Sequence, residues 1–325
     1  MNTVTKEKKI KFNFGRWYNK YGVAVILVVI FITASLLSPN FLTVENLTNV
    51  LRQIVVVSII GLGATFILVS AQINVAYDGL IALFGCTACL VMRATQNLFL
   101  AVIATVALAV VEGLIFGLCV TKLMMPAFIV SLAINTIAAG SILIVTNGHP
   151  IDGLGNFNII GQGYLGPIPI SVILLFLLLI LSWFIMKRTC FGRYVFAAGG
   201  NRSAAIASGI NVNKVLLKVY VLDAIMTAVG GIVFMSRINS GQPSAGSGYA
   251  FDAITGVVVG GSSIYGGAGS AFGTLLGCAI VGIVNNLMNL MNVHSYWQQI
   301  AKGMIIMFAV CIDIQTKRAA SKVRG

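Results

Sequence analysis

Three acids stand in or beside long apolar runs: Asp78 in "SAQINVAYDG", Glu112 in "LAVVEGLIFG" and Asp223 in "KVYVLDAIMT". An acid at the centre of a membrane helix costs about 2.5–3.5 kcal/mol to insert, so it faces a wet cavity or a partner group. Glu112, nearest the middle of its run, is open to two readings. One is a polar contact along a path, or a salt bridge with Arg93 or Lys302; the other is a buried acid bonded to a neighbouring carbonyl. Asp223 lies a few residues inside its run and could simply reach the interface. Further polar groups, Gln72 and Asn74, then Gln242, Ser244, Tyr249 and Asp252, and then Asn285, Asn286 and Asn289, offer hydrogen bonds rather than reactive centres. Asn285 and Asn289 are four apart and share a helix face, a spacing that also suits helix–helix hydrogen bonding in lipid.

Catalytic constellations are missing from the sequence. There is no Gly-Lys dipeptide, hence no phosphate-binding loop of the G-x-x-x-x-G-K-[ST] type, and "GGSSIYGGAGS" has neither the lysine nor a preceding strand. His149 and His294 are far apart, and neither H-E-x-x-H nor G-x-S-x-G occurs. The "CTAC" at 86–89 has no second pair to complete a zinc site and reads as two small residues on one helix face. The chain is expected to hydrolyse no ATP and to bind no metal or cofactor.

The elements that must position these groups follow from composition. Apolar residues make up 58% of the 325 residues and charged ones only 9%, against about 25% charged in an ordinary soluble domain. So much apolar surface belongs in a bilayer, and continuous rather than alternating runs favour helices over a barrel. The net charge of +13 is concentrated in three places. Residues 1–20 carry Lys6, Lys8, Lys9, Lys11, Arg16 and Lys20; residues 187–218 carry Lys187, Arg188, Arg193, Arg202, Lys214 and Lys218; the tail from 317 carries Lys317, Arg318, Lys322 and Arg324. Few aromatic or groove-reading residues accompany them, which disfavours nucleic acid. The positive-inside rule places all three clusters on the cytoplasmic face.

An even number of spans must therefore separate successive clusters. Apolar runs near 22–37, 51–71, 79–93, 98–120, 126–146 and 168–186 fill the first interval, and runs near 215–236, 251–265, 271–292 and 297–314 fill the second. Ten spans of a single transmembrane domain, 21–316, are expected, between cytoplasmic basic tails 1–20 and 317–325. Loops 38–50, 147–167 and 238–250 then fall outside and lack Lys and Arg, while Lys122 falls inside; Arg93 goes against the trend. The first run follows basic residues as in a signal peptide but has no small-x-small site after it, so an uncleaved helix is expected.

Two runs are interrupted. The eighth is broken by paired glycines (Gly260 and Gly261, Gly266 and Gly267), and the third follows the polar stretch 70–79. Five spans per half make any repeat inverted, and interruptions at matching places in inverted halves point to a transport site. Close helix packing would also use such glycines.

Several stretches resemble the permease subunit of bacterial ABC sugar importers, the branch that includes ribose, galactose, xylose and arabinose systems. These are "TCFGRYVFAAGGNRSAAIASGINVNK" (189–214), "QPSAGSGYAFDAITGVVVGGSSIYGGAGSAFGTLLG" (242–277), "NNLMNLMNV" (285–293), "WQQIAKGMIIMFAVCID" (297–313), "SPNFLTVENLTNVLRQ" (38–53) and "MPAFIVSLAINTIAAG" (125–140). The resemblance implies an all-α inner-membrane subunit with ten spans, similar in fold to vitamin B12-type permeases and paired with a second copy. It further implies a tandem ATPase inside, carrying the ATP and Mg, and a periplasmic sugar-binding protein outside. The inside stretch 187–214 becomes the grip for that ATPase. A short surface helix capped by Asn201 or Ser203 would present Arg193, Gly199, Gly200, Asn201, Arg202, Ala204, Ala205, Ser208 and Gly209. Gln72, Asn74, Asp78, Asp252, Asn285, Asn286 and Asn289 are expected along the sugar path, and Gly260, Gly261, Gly266 and Gly267 at its gate or packing.

This sequence departs from the family pattern "G-I-D-L-S-V-G". Asn74 stands for the expected acid, Ala76 for the serine and Asp78 for a glycine, and Ala268 replaces a frequent basic residue. An ion-coupled carrier using Asp78, Glu112 or Asp223 is the competing expectation, and a membrane enzyme is disfavoured for want of a catalytic constellation.

Overall fold

The computed structural model describes residues 14–294, 296–305, 307–308 and 311. The basic segments 1–13 and 317–325 of the two expected tails lie outside the described residues. Helices dominate: α1 (Phe14–Leu37), α2 (Val44–Val69), α3 (Tyr77–Thr95), α4 (Leu98–Thr121), α5 (Ala127–Thr146), α6 (Ile159–Gln162), α7 (Ile170–Arg188), α8 (Cys190–Gly200), α9 (Arg202–Ala207), α10 (Val212–Ile238), α11 (Tyr249–Val259) and α12 (Ala271–Leu290). A two-residue hairpin, β1 (Tyr164–Leu165) with β2 (Ile168–Pro169), decorates the loop before α7. Residues 296–305 are again helical.

Helix ends fall where the sequence supplies caps. Thr43 accepts from the Asn46 N–H at the start of α2, Asn97 from Phe99 and Leu100 at α4, Asn211 from Lys214 at α10, and Ser270 from Gly273 at α12. Among the described residues, seven helices are long and apolar enough to cross a membrane: α2, α3, α4, α5, α7, α10 and α12. Gly22–Leu37 and α11 are shorter apolar helices.

The helices divide by exposure. In α2 and α10, 83% and 78% of the apolar window is buried, against 22% in α4 and in α5, so the first two form the axis and the last two face lipid. Their lipid faces show Ile103, Val111, Ile115, Ile137 and Ile144 to the surroundings. α10 packs on α2, α3 and α4, and α12 packs on α2 and α11. The buried core runs through Ile59, Phe66, Tyr77, Ile81, Val219 and Val257.

The eighth apolar run is interrupted at its paired glycines, as expected. Its helix ends at Val259 instead of continuing to 265, because Gly260 lies against the Gly273 carbonyl and Gly261 takes φ +88°. Small residues let α11 and α12 nearly touch, with Gly277 facing the Gly256 carbonyl and Gly256 facing Cys278.

A side chain at Gly277 would overlap the Gly256 backbone. Gly277→Ala is expected to destabilise the purified chain by about 1–3 kcal/mol. Gly140→Ala, where a methyl meets nothing within 4 Å, should leave stability equal or raise it by up to about 1 kcal/mol. Thermal unfolding of both variants in detergent separates the two outcomes.

Candidate functional site

Breaking a helix inside hydrocarbon leaves backbone N–H groups without partners, and each must be satisfied by the chain itself. Two non-helical segments meet here. α2 ends at Val69, and residues 70–76 are non-helical before α3 begins. Residues 239–248 are likewise non-helical before α11 begins. α3 and α11 start at the same place.

That meeting point is held by Asp78. Its Oδ1 accepts the Ala250 N–H at 2.8 Å and its Oδ2 the Gly248 N–H at 3.0 Å, so a carboxylate on the first turn of α3 caps the first turn of α11. Asn74 closes the turn leading into α3, its Oδ1 accepting the Ala76 N–H at 2.8 Å. From α5, Asn135 Oδ1 accepts the Gly79 N–H at 2.7 Å.

Asn74 also fastens the break to the axis. Its Nδ2 donates to Asp223 Oδ2 at 2.8 Å, while the Tyr77 hydroxyl donates to Asp223 Oδ1 at 3.0 Å. Asp223 is 2% exposed and lies about 16 Å along α10 from its first residue, near mid-depth in a ~30 Å apolar layer. Gln72 accepts from the Tyr220 hydroxyl at 3.1 Å. Asn74, 1% exposed, is therefore a tie between helices, whereas Asp78 borders open space.

That space is a cavity of about 620 Å³, lined by Asp78, Ser247, Phe251, Gln298, Gln299 and Lys302 among others. Behind its wall Lys302 pairs with Asp252, Nζ lying 2.9 Å from Oδ1 and 3.0 Å from Oδ2, and Asn285 Nδ2 donates to the same carboxylate at 3.1 Å. The arrangement holds amide, hydroxyl and charged groups around a void large enough for a small polar solute.

Other expected residues lie elsewhere. Asn286 exchanges two hydrogen bonds with Asn46 of α2, at 2.8 and 3.1 Å, and Asn289 accepts from Gln298 at 2.9 Å. Lys302 is committed to Asp252, the single ion pair among the described residues, so neither salt bridge left open for Glu112, with Arg93 or with Lys302, forms. Glu112 Oε1 has no hydrogen-bond partner among the described residues. Cys86 and Cys89 are free thiols buried against the core.

The basic stretch after α7 forms an elbow. Thr189 caps α8 by accepting from Gly192, and Asn201 ends α8 and caps α9 by accepting from Ala204 at 2.9 Å. Of the two expected cap residues, Asn201 takes the role. Arg193, Gly200, Asn201, Arg202, Ala204, Ser208 and Gly209 are exposed. Gly199 and Ala205 are buried, which removes them from any surface a partner could touch. Gly199 packs on the Val69 and Ser70 backbone at the end of α2.

Gly266 and Gly267 complete that junction. A Cβ at Gly266 would lie 2.6 Å from the Gly199 oxygen and 2.7 Å from Ala71 Cβ, and one at Gly267 would lie 2.8 Å from Gly200 Cα. Both take positive φ, +83° and +73°, where glycine is strongly favoured. The Gly267 N–H donates to the Val69 oxygen at 2.9 Å. One surface elbow thus touches the segments that flank both interrupted helices.

Lys302, Gln298, Gln299, Tyr77 and Asn135 were not among the expected pathway residues. Lys302 carried a signal nonetheless, as a basic residue within the last apolar run, where an ionisable group implies a partner.

Comparison with known proteins agrees with this architecture. The family described as "Branched-chain amino acid transport system / permease component" matches residues 46–310. A ribose import permease protein of Haemophilus influenzae is 36% identical over 315 residues, covering 95% of this chain and 98% of that protein. The ribose import permease protein of Bacillus subtilis is 37% identical over 312 residues, covering 95% and 96%. The D-allose transport system permease protein of Escherichia coli is 33% identical over 317 residues, covering 96% and 97%. No solved structure matches the chain. Matched over most of its length by one family and over nearly all of it by these relatives, the chain belongs to the family of transport-system permease components.

Proposed function

We propose that the chain is the membrane subunit of an ABC importer that carries a monosaccharide across the bacterial inner membrane. The sugar class rests on relatives named for ribose, allose and xylose. The observation that carries the mechanism is the glycine junction: the exposed α8–α9 elbow bears directly on residues 69–71 and 266–267, next to both interrupted helices. A motor gripping the elbow would move the two segments whose far ends meet at Asp78.

The seven long helices, the shorter helices Gly22–Leu37 and Tyr249–Val259, and the helical residues 296–305 occupy the places of the ten apolar runs, which supports ten spans in the manner of vitamin B12-type permeases. With the basic end cytoplasmic, Arg193, Gly200, Asn201, Arg202, Ala204, Ser208 and Gly209 form the docking face for a tandem ATPase, which holds the ATP and Mg; this chain holds no cofactor. Gly199 and Ala205 back that face from within. A periplasmic sugar-binding protein delivers the solute from the opposite side, and a second permease copy completes the pair.

Along the path, Asp78, Gln298, Gln299 and Lys302 face the solute, with Asp252 and Asn285 holding Lys302. Gln72 and Asn74 set the break below them, while Asn286 and Asn289 fix α12 to its neighbours. Gly260, Gly261, Gly266 and Gly267 let the 260–270 segment shift against α8 and α12.

Three outcomes test this reading. Uptake of the sugar recognised by the cognate binding protein should require ATP and that protein, and should survive a protonophore; uptake that collapses with the proton gradient and ignores ATP would establish the ion-coupled alternative. Ser208→Trp together with Arg202→Glu should leave membrane insertion intact and lower permease-stimulated ATP hydrolysis by tenfold or more, the order of about 1.4 kcal/mol in docking. Reversing one partner of the buried pair, as in Lys302→Glu, should abolish uptake, and the double exchange Lys302→Glu with Asp252→Lys should restore part of it. Equal loss in single and double variants would show that the pair is no functional unit.

A further inference from the structure

The lipid-facing surface near the basic end carries a groove of about 450 Å³ that the transport reading leaves unused. α10 forms its floor through Leu222 and Ile225, Leu114 of α4 one wall, and Ile185 in the last turn of α7 the other; Phe191 of α8 lies at its basic end. The slot stays open because its walls are anchored elsewhere: α4 is drawn onto α10 where Gly113 and Gly117 meet Val221 and Leu217, while α7 packs on α2 and α8.

The lining is apolar apart from Thr189 and Lys218. Lys218 lies about 9 Å along α10 from its basic end, and Leu222 and Ile225 follow on the same face one and two turns deeper. The slot is therefore charged where it meets the interface and greasy towards the middle of the layer. Lys187 and Arg188, both exposed, end α7 beside it. Lys218 has no carboxylate partner among the described residues, whose single ion pair is Lys302 with Asp252.

We propose that this groove holds one acidic phospholipid, with its phosphate against Lys218 and one acyl chain along Leu222 and Ile225. Charge complementarity selects this occupant. Three basic residues with no acid among them attract an anionic headgroup, and the apolar floor suits a hydrocarbon chain. A second copy of the chain is a poorer fit, because none of its described acids at this depth is exposed. Glu45 stands in the first turn of α2, at the end remote from the basic cluster, and Asp152 stands in the loop before α7; Asp78, Asp223 and Asp252 are bonded within the chain. Glu112 precedes Gly113, which packs on α10.

The test uses the full-length chain, purified in mild detergent and incubated with equimolar phosphatidylglycerol and phosphatidylethanolamine. Retained lipid is counted by native mass spectrometry. The expected result is one tightly retained lipid per chain, with phosphatidylglycerol preferred about fivefold. Lys218→Gln, an exposed substitution, should erase that preference. Ile225→Trp should displace the lipid whichever headgroup it carries, and Leu114→Trp fills the same groove from α4 if the first variant fails to fold. An unchanged preference in Lys218→Gln, or retention unaffected by either tryptophan, overturns the proposal. So does efficient disulfide cross-linking between two Leu222→Cys chains, which would place a second copy in the groove.

Discussion

An interrupted helix in a membrane survives only if the chain itself supplies partners for the backbone groups the interruption frees. Here that requirement is met crosswise. Asp78, on the first turn of α3, caps α11, while Asn74 closes the turn into α3 and binds Asp223 on the axis helix α10. Neither break is satisfied by its own segment alone. The two short segments are thereby fixed to one another and to α10, and the cavity beside Asp78 exists because both helices stop there. A continuous helix at either place would fill it.

The same economy operates at the other end of the breaks. Backbone approaches as close as those at Gly199, Gly266 and Gly267 leave no room for side chains, so displacement of the elbow cannot be absorbed by rotamer changes. It must move backbone. Interiors packed this tightly transmit displacement rather than damp it, and the two segments in contact with the elbow are the ones that lead to Asp78. Small residues in the surface stretch thus serve two ends: the exposed ones leave a partner room to approach, and Gly199 joins the elbow to the breaks.

Much of this was legible in the sequence, and the illegible part has a common cause. Apolar runs located the helices, although α2 begins at Val44 and not near 51, the polar stretch 70–79 marked the first break, and Asn201 announced a cap. Each of those signals is local. The paired glycines announced the break in the eighth run as well, but the contact of Gly260 with Gly273 across a loop was not readable. Nor was the partner of Lys302, fifty residues from Asp252, or the inward turn of Gly199 and Ala205, which is a matter of which face of a short helix meets α2. Asp78 is the instructive case. Against the family pattern it looked like a disruption, an acid in place of a glycine. In the structure its carboxylate replaces a missing turn of backbone, so it became intelligible only once α11 was seen to begin beside it.

The distribution of hydrogen bonds also bears on what drives the protein. A carboxylate that carries protons or sodium must alternate between bound and free states, so its oxygens need to be released in turn. Asp78 has both oxygens committed to backbone N–H groups, Asp223 has one each committed to Asn74 and Tyr77, and Asp252 is held by Lys302 and Asn285. Hydrogen bonds to a charged group contribute about 1.5–3 kcal/mol apiece, and releasing any of these acids would uncap a helix or detach a break from the axis. They act as fasteners. Occupied in this way, Asp78, Asp223 and Asp252 are suited to hold the breaks together rather than to carry ions, and Glu112, whose Oε1 has no hydrogen-bond partner among the described residues, is the acid on which an ion-coupled mechanism would have to rest.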